Sequence, residues 1–256
     1  PGAAFTAIIQ IGTELAVILY FRHDIIRILG AWFGSLFGKE GKDFKSRMGA
    51  HNPDTQMGWF IILGTMPILI AGLLFKHAIE GSLRNLWITV TVLALFGVLL
   101  WVVDARSKQV KTMKEMTWKD ALIFGIGQML ALIPGVSRSG GTITFGRAMG
   151  YTREAAVRVS FLMAIPAVFG AGILEAVSAV KDVAAGDAGM FPGWGPTIAA
   201  AIVAFVVGYV VIIGFLKFVS TFSYKAFAIY RIGLAIVVAL LLITGVLSPL
   251  EAAAAA

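Results

Sequence analysis

Nine consecutive residues, Pro134-Gly135-Val136-Ser137-Arg138-Ser139-Gly140-Gly141-Thr142, hold three hydroxyls, one guanidinium and three glycines. Each type suits the binding of an anion. Glycine lets the backbone turn sharply and approach a ligand closely. Successive N–H groups in such a turn make an anion-binding concavity. The run from Thr142 to Met149 would begin a helix, whose N-terminus also favours anions. Arg138 supplies a permanent charge on a planar fork that matches phosphate, and Ser137, Ser139 and Thr142 can donate to phosphate oxygens. Gly135, Ser137, Arg138, Ser139, Gly140 and Thr142 are therefore the expected substrate-binding residues, with Arg138 and Ser139 also expected to act in catalysis. In the alternative reading Arg138 snorkels to a membrane interface and the hydroxyls cap a helix.

Other polar residues lie within apolar runs. Gln10 and Glu14 are four apart, hence on one helix face. Glu14 is a third catalytic candidate: a general base, a metal ligand or a partner for Arg138, the alternative being a pair with another helix. Gln10 and Gln128 are added to the binding set, an interhelical hydrogen bond being the alternative for Gln128. Tyr230 and Arg231 open the last apolar run and read as an interface anchor. His23, His51 and His77 read as solvated, and with no cysteine in the chain neither a thiolate nor a cysteine metal site is available.

The elements that carry these residues follow from composition. Of 256 residues, 59% are hydrophobic and only 14% charged, whereas a soluble domain carries roughly 25% charged residues. Mean hydropathy is +0.89. A soluble enzyme is thereby disfavoured, as is disorder. Runs long enough to span a bilayer are expected at 3–21, 57–75, 87–103, 159–180, 197–216 and 229–248. Residues 25–37 suit an amphipathic helix at the interface. Residues 120–150 hold two apolar stretches too short to span, around the polar centre, and read as a re-entrant hairpin.

The net charge of +7 is a topology signal. Residues 22–55 hold six lysines and arginines and 104–119 hold five, against two in 76–86 and one in the Gly/Pro-rich loop 181–196. The positive-inside rule puts the first two stretches in the cytoplasm. That alternation requires 120–150 to return to the side it entered from. The basic residues are scattered and no aromatic-interleaved basic motif occurs, so nucleic acid is not an expected partner. Residues 1–249 are expected to form one transmembrane domain, and 250–256, Leu-Glu and five alanines, read as a tag remnant.

Residues 128–142, QMLALIPGVSRSGGT, resemble the second signature of the undecaprenyl-diphosphate phosphatase family, the BacA type. The likeness extends to FTAIIQIGTELAVILYF at 5–21, GTMPILIAGLLF at 64–75, SFLMAIPAVFGAGIL at 160–174 and FAIYRIG at 227–233. It implies an all-α, polytopic membrane bundle of two inverted repeats, each with a re-entrant helix pair. It also implies removal of the terminal phosphate of undecaprenyl diphosphate outside the bacterial cytoplasmic membrane, which regenerates a lipid carrier for the cell envelope. In the family the arginine matching Arg138 is taken to hold the diphosphate, and a divalent cation, magnesium or calcium, supports activity. The lipid diphosphate and membrane lipids are the expected partners, and a second copy of the chain is a candidate. A polyprenyl-phosphate transporter or flippase is the alternative, since broken helices meeting near the midplane are also a transporter design.

The family's earlier signature, an acidic element followed by PVSSxGH, has no counterpart in these residues. The expectation is a chain truncated ahead of Pro1, holding the phosphate clamp without the nucleophile, and with little phosphatase activity by itself.

Overall fold

In hydrocarbon a backbone must satisfy its own hydrogen bonds, so long apolar runs become helices. The structure, a computed structural model, describes residues 3–185 and 192–249. Its helices are α1 (Ala3–Tyr20), α2 (Arg22–Leu36), α3 (Phe44–Arg47), α4 (Pro53–Leu74), α5 (Lys76–Glu80), α6 (Leu86–Arg106), α7 (Trp118–Met129), α8 (Arg138–Ala148), α9 (Arg153–Ala185), α10 (Trp194–Thr221) and α11 (Lys225–Ile243). Among the described residues no strand occurs beyond an isolated bridge between Lys111 and Tyr151. Among the described residues four helices, α4, α6, α10 and α11, are long and apolar enough to cross a membrane. The protein is an all-α, polytopic membrane bundle.

Every expected span falls on a helix, with shifted ends. The last runs 225–243 rather than 229–248. It stops because Gly245 takes φ +73°, a left-handed cap in which Gly245 and Val246 donate back to Leu242 and Leu241. The loop expected at 181–196 starts later, because α9 continues to Ala185 through a stretch with no glycine or proline. The final seven residues, read as a tag remnant, lie outside the described residues.

The chain divides into two compact units, one of residues 1–58 and 164–218, the other of 59–163 and 219–256. In the first, Gly12 of α1 lets the Ala201 backbone of α10 come close, and Gly172 of α9 does the same for the Glu14 side chain. Ser35 at the end of α2 donates to the carbonyls of Ser46 (3.2 Å) and Arg47 (2.9 Å), tying α2 to α3.

In the second unit α6 and α11 run antiparallel. Val90, Ala235 and Leu242 form their shared core, and Gly97 admits Ile232. The Leu86 N–H reaches the Pro249 carbonyl at one end of the pair (3.1 Å). At the other end Asp104, which the sequence put in a loop, is a buried residue of α6.

The Asp104 carboxylate accepts from Arg147 Nε (2.8 Å), Arg153 Nε and Nη2 (3.0 Å each) and the Tyr224 N–H (3.1 Å). Arg147 is fully buried and also donates to the carbonyls of Asp104 and Tyr151. This hub joins the end of α6, the end of α8, the start of α9 and the residue preceding α11. Beside it Tyr151 donates to Asp120 (2.9 Å), and burial together with that bond pushes its phenol well above the ordinary tyrosine range. Asp120 in turn closes a reciprocal cap with Thr117 at the start of α7.

Removing one partner of a buried ion pair strands the other charge and costs about 3–5 kcal/mol. Asp104→Ala is therefore expected to lower the thermal unfolding midpoint of the purified protein sharply. An unchanged midpoint would remove the hub from the fold's foundations.

Candidate functional site

The polar loop hangs from the α7–α8 hairpin. Asp120 lies beside Tyr151, Phe124 beside Gly146, and Gly127 beside Gly141, so the two helices are antiparallel. At Gly127 and Gly141 the backbones touch: a Cβ on Gly127 would stand 3.0 Å from the Gly141 carbonyl oxygen. A 3-10 turn, Leu130–Leu132, extends α7, and the chain then doubles back through Pro134–Ser137. With 12 and 11 residues, α7 and α8 are each about 16–18 Å long at 1.5 Å per residue. Neither reaches across a hydrocarbon core of about 30 Å.

Two residues of the turn have positive φ. Gly135, at +99°, packs against the Thr89 and Leu93 backbone of α6, where a side chain would clash. Ser137, at +67°, is a non-glycine residue in a conformation that costs about 1–3 kcal/mol, a kind of strain that collects at ligand sites. Ser137 is the N-cap of α8, and its hydroxyl accepts from the Gly140 N–H (3.3 Å). Val136, fully buried, anchors the turn between these residues.

The first turn of α8 thus starts at Arg138. Ser137 and Arg138 are exposed and Ser139 is half-buried. A helix N-terminus, its dipole and a guanidinium are presented together, which is the arrangement expected of an anion cradle. Thr142 is placed differently from the other hydroxyls: it is fully buried and donates to the Arg138 carbonyl (2.8 Å). In this arrangement its proton is committed to holding the helix start.

Arg231 is the residue that the sequence reading missed. It was taken with Tyr230 for an interface anchor. Tyr230 is 68% exposed, but Arg231 is buried, and its Nη2 donates to the carbonyls of Gly135 (2.5 Å) and Val136 (2.9 Å). Its Nη1 also lies against Gly140, at 2.8 Å from where a Cβ would stand. The only hint in the sequence was a charge inside an apolar run.

Gln128, on α7 ahead of the turn, is fully buried, and neither its amide nitrogen nor its amide oxygen has a partner among the described residues. A buried amide left unpaired costs about 1–3 kcal/mol. Water or a ligand atom is the natural complement.

Gln10 and Glu14 belong to the first unit and the loop to the second. Gln10 Nε2 donates to Glu14 Oε1 (3.1 Å), confirming their shared face on α1. Glu14 is buried against α9, where a Cβ on Gly172 would lie 2.6 Å from Oε2. His23, His51 and His77 are exposed, as expected. No group of three or more His, Cys, Asp or Glu converges among the described residues, and residues 134–142 contain no carboxylate. The loop residues therefore do not fit a protein-ligated metal site.

Residues 1–237 match the family model described as Bacitracin resistance protein BacA. The chain is 92% identical over 256 residues to "Undecaprenyl-diphosphatase" of Bifidobacterium adolescentis, covering 100% of this chain and 87% of that relative. It is 76% identical over 251 residues to the protein of that name from Bifidobacterium animalis subsp. lactis, covering 98% and 84%. A relative of the same name from Pseudarthrobacter chlorophenolicus is 53% identical over 249 residues, covering 97% and 86%.

If Arg231 holds the turn, Arg231→Ala frees the carbonyls of Gly135 and Val136. Amide hydrogen exchange is expected to accelerate across 135–141 while the residues around Asp104 stay protected. Equal protection in both proteins would show that Arg231 does not support the loop.

Proposed function

The chain belongs to the bacitracin resistance protein BacA family, and from that premise we propose that it is an undecaprenyl-diphosphatase. It hydrolyses the lipid diphosphate to undecaprenyl phosphate and inorganic phosphate. The relatives' shared name favours this phosphatase over the carriage of polyprenyl phosphate. The observation that carries the reading is the exposed Arg138 at the start of α8, beside the positive-φ turn at Gly135 and Ser137.

In this mechanism the lipid lies with its chain among the membrane helices and its diphosphate against the loop. Arg138 grips phosphate oxygens with its fork. The helix start and the Ser137 and Ser139 hydroxyls add dipoles, while Gly135 and Gly140 admit the α6 backbone and the Arg231 guanidinium that shape the turn from behind. Attack at the terminal phosphorus breaks its bond to the bridging oxygen, which leaves with undecaprenyl phosphate; the oxygen of water ends on inorganic phosphate. Phosphoryl transfer depends mainly on positioning and on electrostatic stabilisation of the equatorial oxygens. These loop groups supply both. The unpartnered amide of Gln128 is assigned to the same binding set, reaching the headgroup directly or through water.

The protein is a bacterial membrane protein. Its finer placement is part of the proposal: the cytoplasmic membrane, with 22–55 and 104–119 inside, the α7–α8 hairpin re-entrant, and the diphosphate site open to the outer side. Membrane lipids and a second copy of the chain are its proposed partners.

Arg138→Ala is expected to abolish phosphate release from undecaprenyl diphosphate. Arg138→Lys should restore it only partly, because a point charge does not replace a bidentate fork. Wild-type rates in both variants would take Arg138 out of the site. Magnesium or calcium is proposed to support the reaction by neutralising charge on the diphosphate, and the loop, which lacks carboxylates, would not itself hold it. EDTA is then expected to slow release, with recovery on adding back either ion; a rate indifferent to chelation would count against any role for the ion.

A further inference from the structure

Helix α2 has two faces with opposite fates. One is used within its own unit: Ile28 and Ser35 are buried, Ser35 is bonded to α3, and Trp32 lies against Gly58. The other carries Ile26, Leu29 and Phe33, and Phe37 continues it just past the helix end. Spacings of three and four place these four side chains on one stripe. All are exposed, Ile26 by 68% and Phe37 by 86%. Gly30 lies along the same stripe, and a Cβ there would meet nothing within 4 Å. Phe44, 76% exposed, follows at the start of α3.

Charge surrounds this apolar stripe asymmetrically. Arg22, Arg27, Lys39, Lys42, Lys45 and Arg47 are all exposed. The four carboxylates of the same stretch already have internal partners. Asp24 and Asp54 pair with Arg27, Glu40 accepts from Asn52 and Thr55, and Asp43 caps α3 through Ser46. No carboxylate pairs with Lys39, Lys42 or Lys45 among the described residues. The Lys39 stem runs beside Gly34 of α2, as an amphipathic side chain does when its charge reaches outward from an apolar surface. Only Phe21 separates α2 from the apolar helix α1, so the stripe begins where a hydrophobic helix ends.

We propose that the Ile26–Leu29–Phe33–Phe37 stripe, with Phe44 and the ring of Lys39, Lys42 and Lys45, is a docking surface for anionic phospholipid. The rings enter the acyl boundary and the lysines meet lipid phosphates. Glu40 and Asp43 bond neutral donors and keep their charge, so the stretch 22–55 sets six cations against four carboxylates and stays net positive. Such a helix lies in the interface with its apolar face about 5–10 Å deep. Each lysine near an anionic surface favours contact by about 1 kcal/mol, close to five-fold. The preference concerns the lipid around the protein and is independent of the reaction at Arg138.

The chain has no cysteine, so single spin labels at Phe33→Cys and Phe37→Cys test this in the full protein. The labelled protein is reconstituted in nanodiscs of phosphatidylcholine alone or mixed with phosphatidylglycerol. Power saturation against oxygen and a water-soluble nickel chelate reads depth, and the lipid co-purifying from the mixture reads selectivity. Both labels are expected to be oxygen-accessible and chelate-protected, more so with phosphatidylglycerol, and phosphatidylglycerol should be enriched around the protein. High salt or Lys39→Glu/Lys42→Glu/Lys45→Glu should remove the difference, with phosphatase activity intact. Chelate-accessible labels overturn the proposal, as does equal depth and equal lipid retention in both bilayers. Spin–spin broadening between copies would also overturn it, by making the stripe a self-association face.

Discussion

One buried carboxylate roots the half of the chain that carries the Pro134–Thr142 loop. Asp104 holds two guanidiniums and a backbone N–H, each from a different part of the sequence. A carboxylate with two arginines would leave a positive charge stranded in a low-dielectric interior. Arg147 avoids that by directing its remaining N–H groups at the Tyr151 and Asp104 carbonyls. Each of the three Arg147 nitrogens thus has an acceptor and Arg153 keeps partial access to solvent, conditions that let a buried charge network rigidify a fold instead of weakening it.

The loop's geometry follows from that root. Arg147 ends the helix that Arg138 begins, and Tyr224 precedes the helix that carries Arg231. Two turns of α11 lift Arg231 about 10 Å from Tyr224, and α8 rises about 14 Å from Arg147 to Arg138. Two helices fastened at one end thus bring a guanidinium and a strained turn together at the other. Arg231 takes up the carbonyls of Gly135 and Val136. One arginine therefore shapes the turn while Arg138 stays exposed at the helix start.

Legibility in the sequence varied with how local the cause was. The helix pair on either side of Pro134–Ser137 was readable because glycine, proline and hydroxyls at that density are incompatible with one continuous helix. Gln10 and Glu14 were readable as a pair because four residues is one helical turn. Tyr230 and Arg231 show where that logic ends. They are adjacent, so they read alike, yet adjacent residues on a helix point about 100° apart, and one faces outward while the other is buried under the loop. Asp104 and Arg147 are 43 residues apart, and no periodicity relates them. Asp104 read as part of a basic loop because its neighbours in sequence are basic. Thr142 read as a phosphate donor by type; the structure adds that in the first turn of α8 its hydroxyl donates to the Arg138 carbonyl.

By itself the sequence determined that this is a polytopic membrane protein and that its helices break around residues 134–142, in a segment whose residue types suit an anion. These properties come from composition and near-neighbour spacing, and no packing alters them. The tertiary structure decided which charges are buried in the fold and which stay exposed. Arg138, Arg147, Arg153 and Arg231 carry the same group, and nothing in their side chains distinguishes them. Only the antiparallel meeting of α6 with α11 and of α7 with α8 buries Arg147 and Arg231 against Asp104, Gly135 and Val136 and brings Arg153 to Asp104, while Arg138 sits exposed at a helix start.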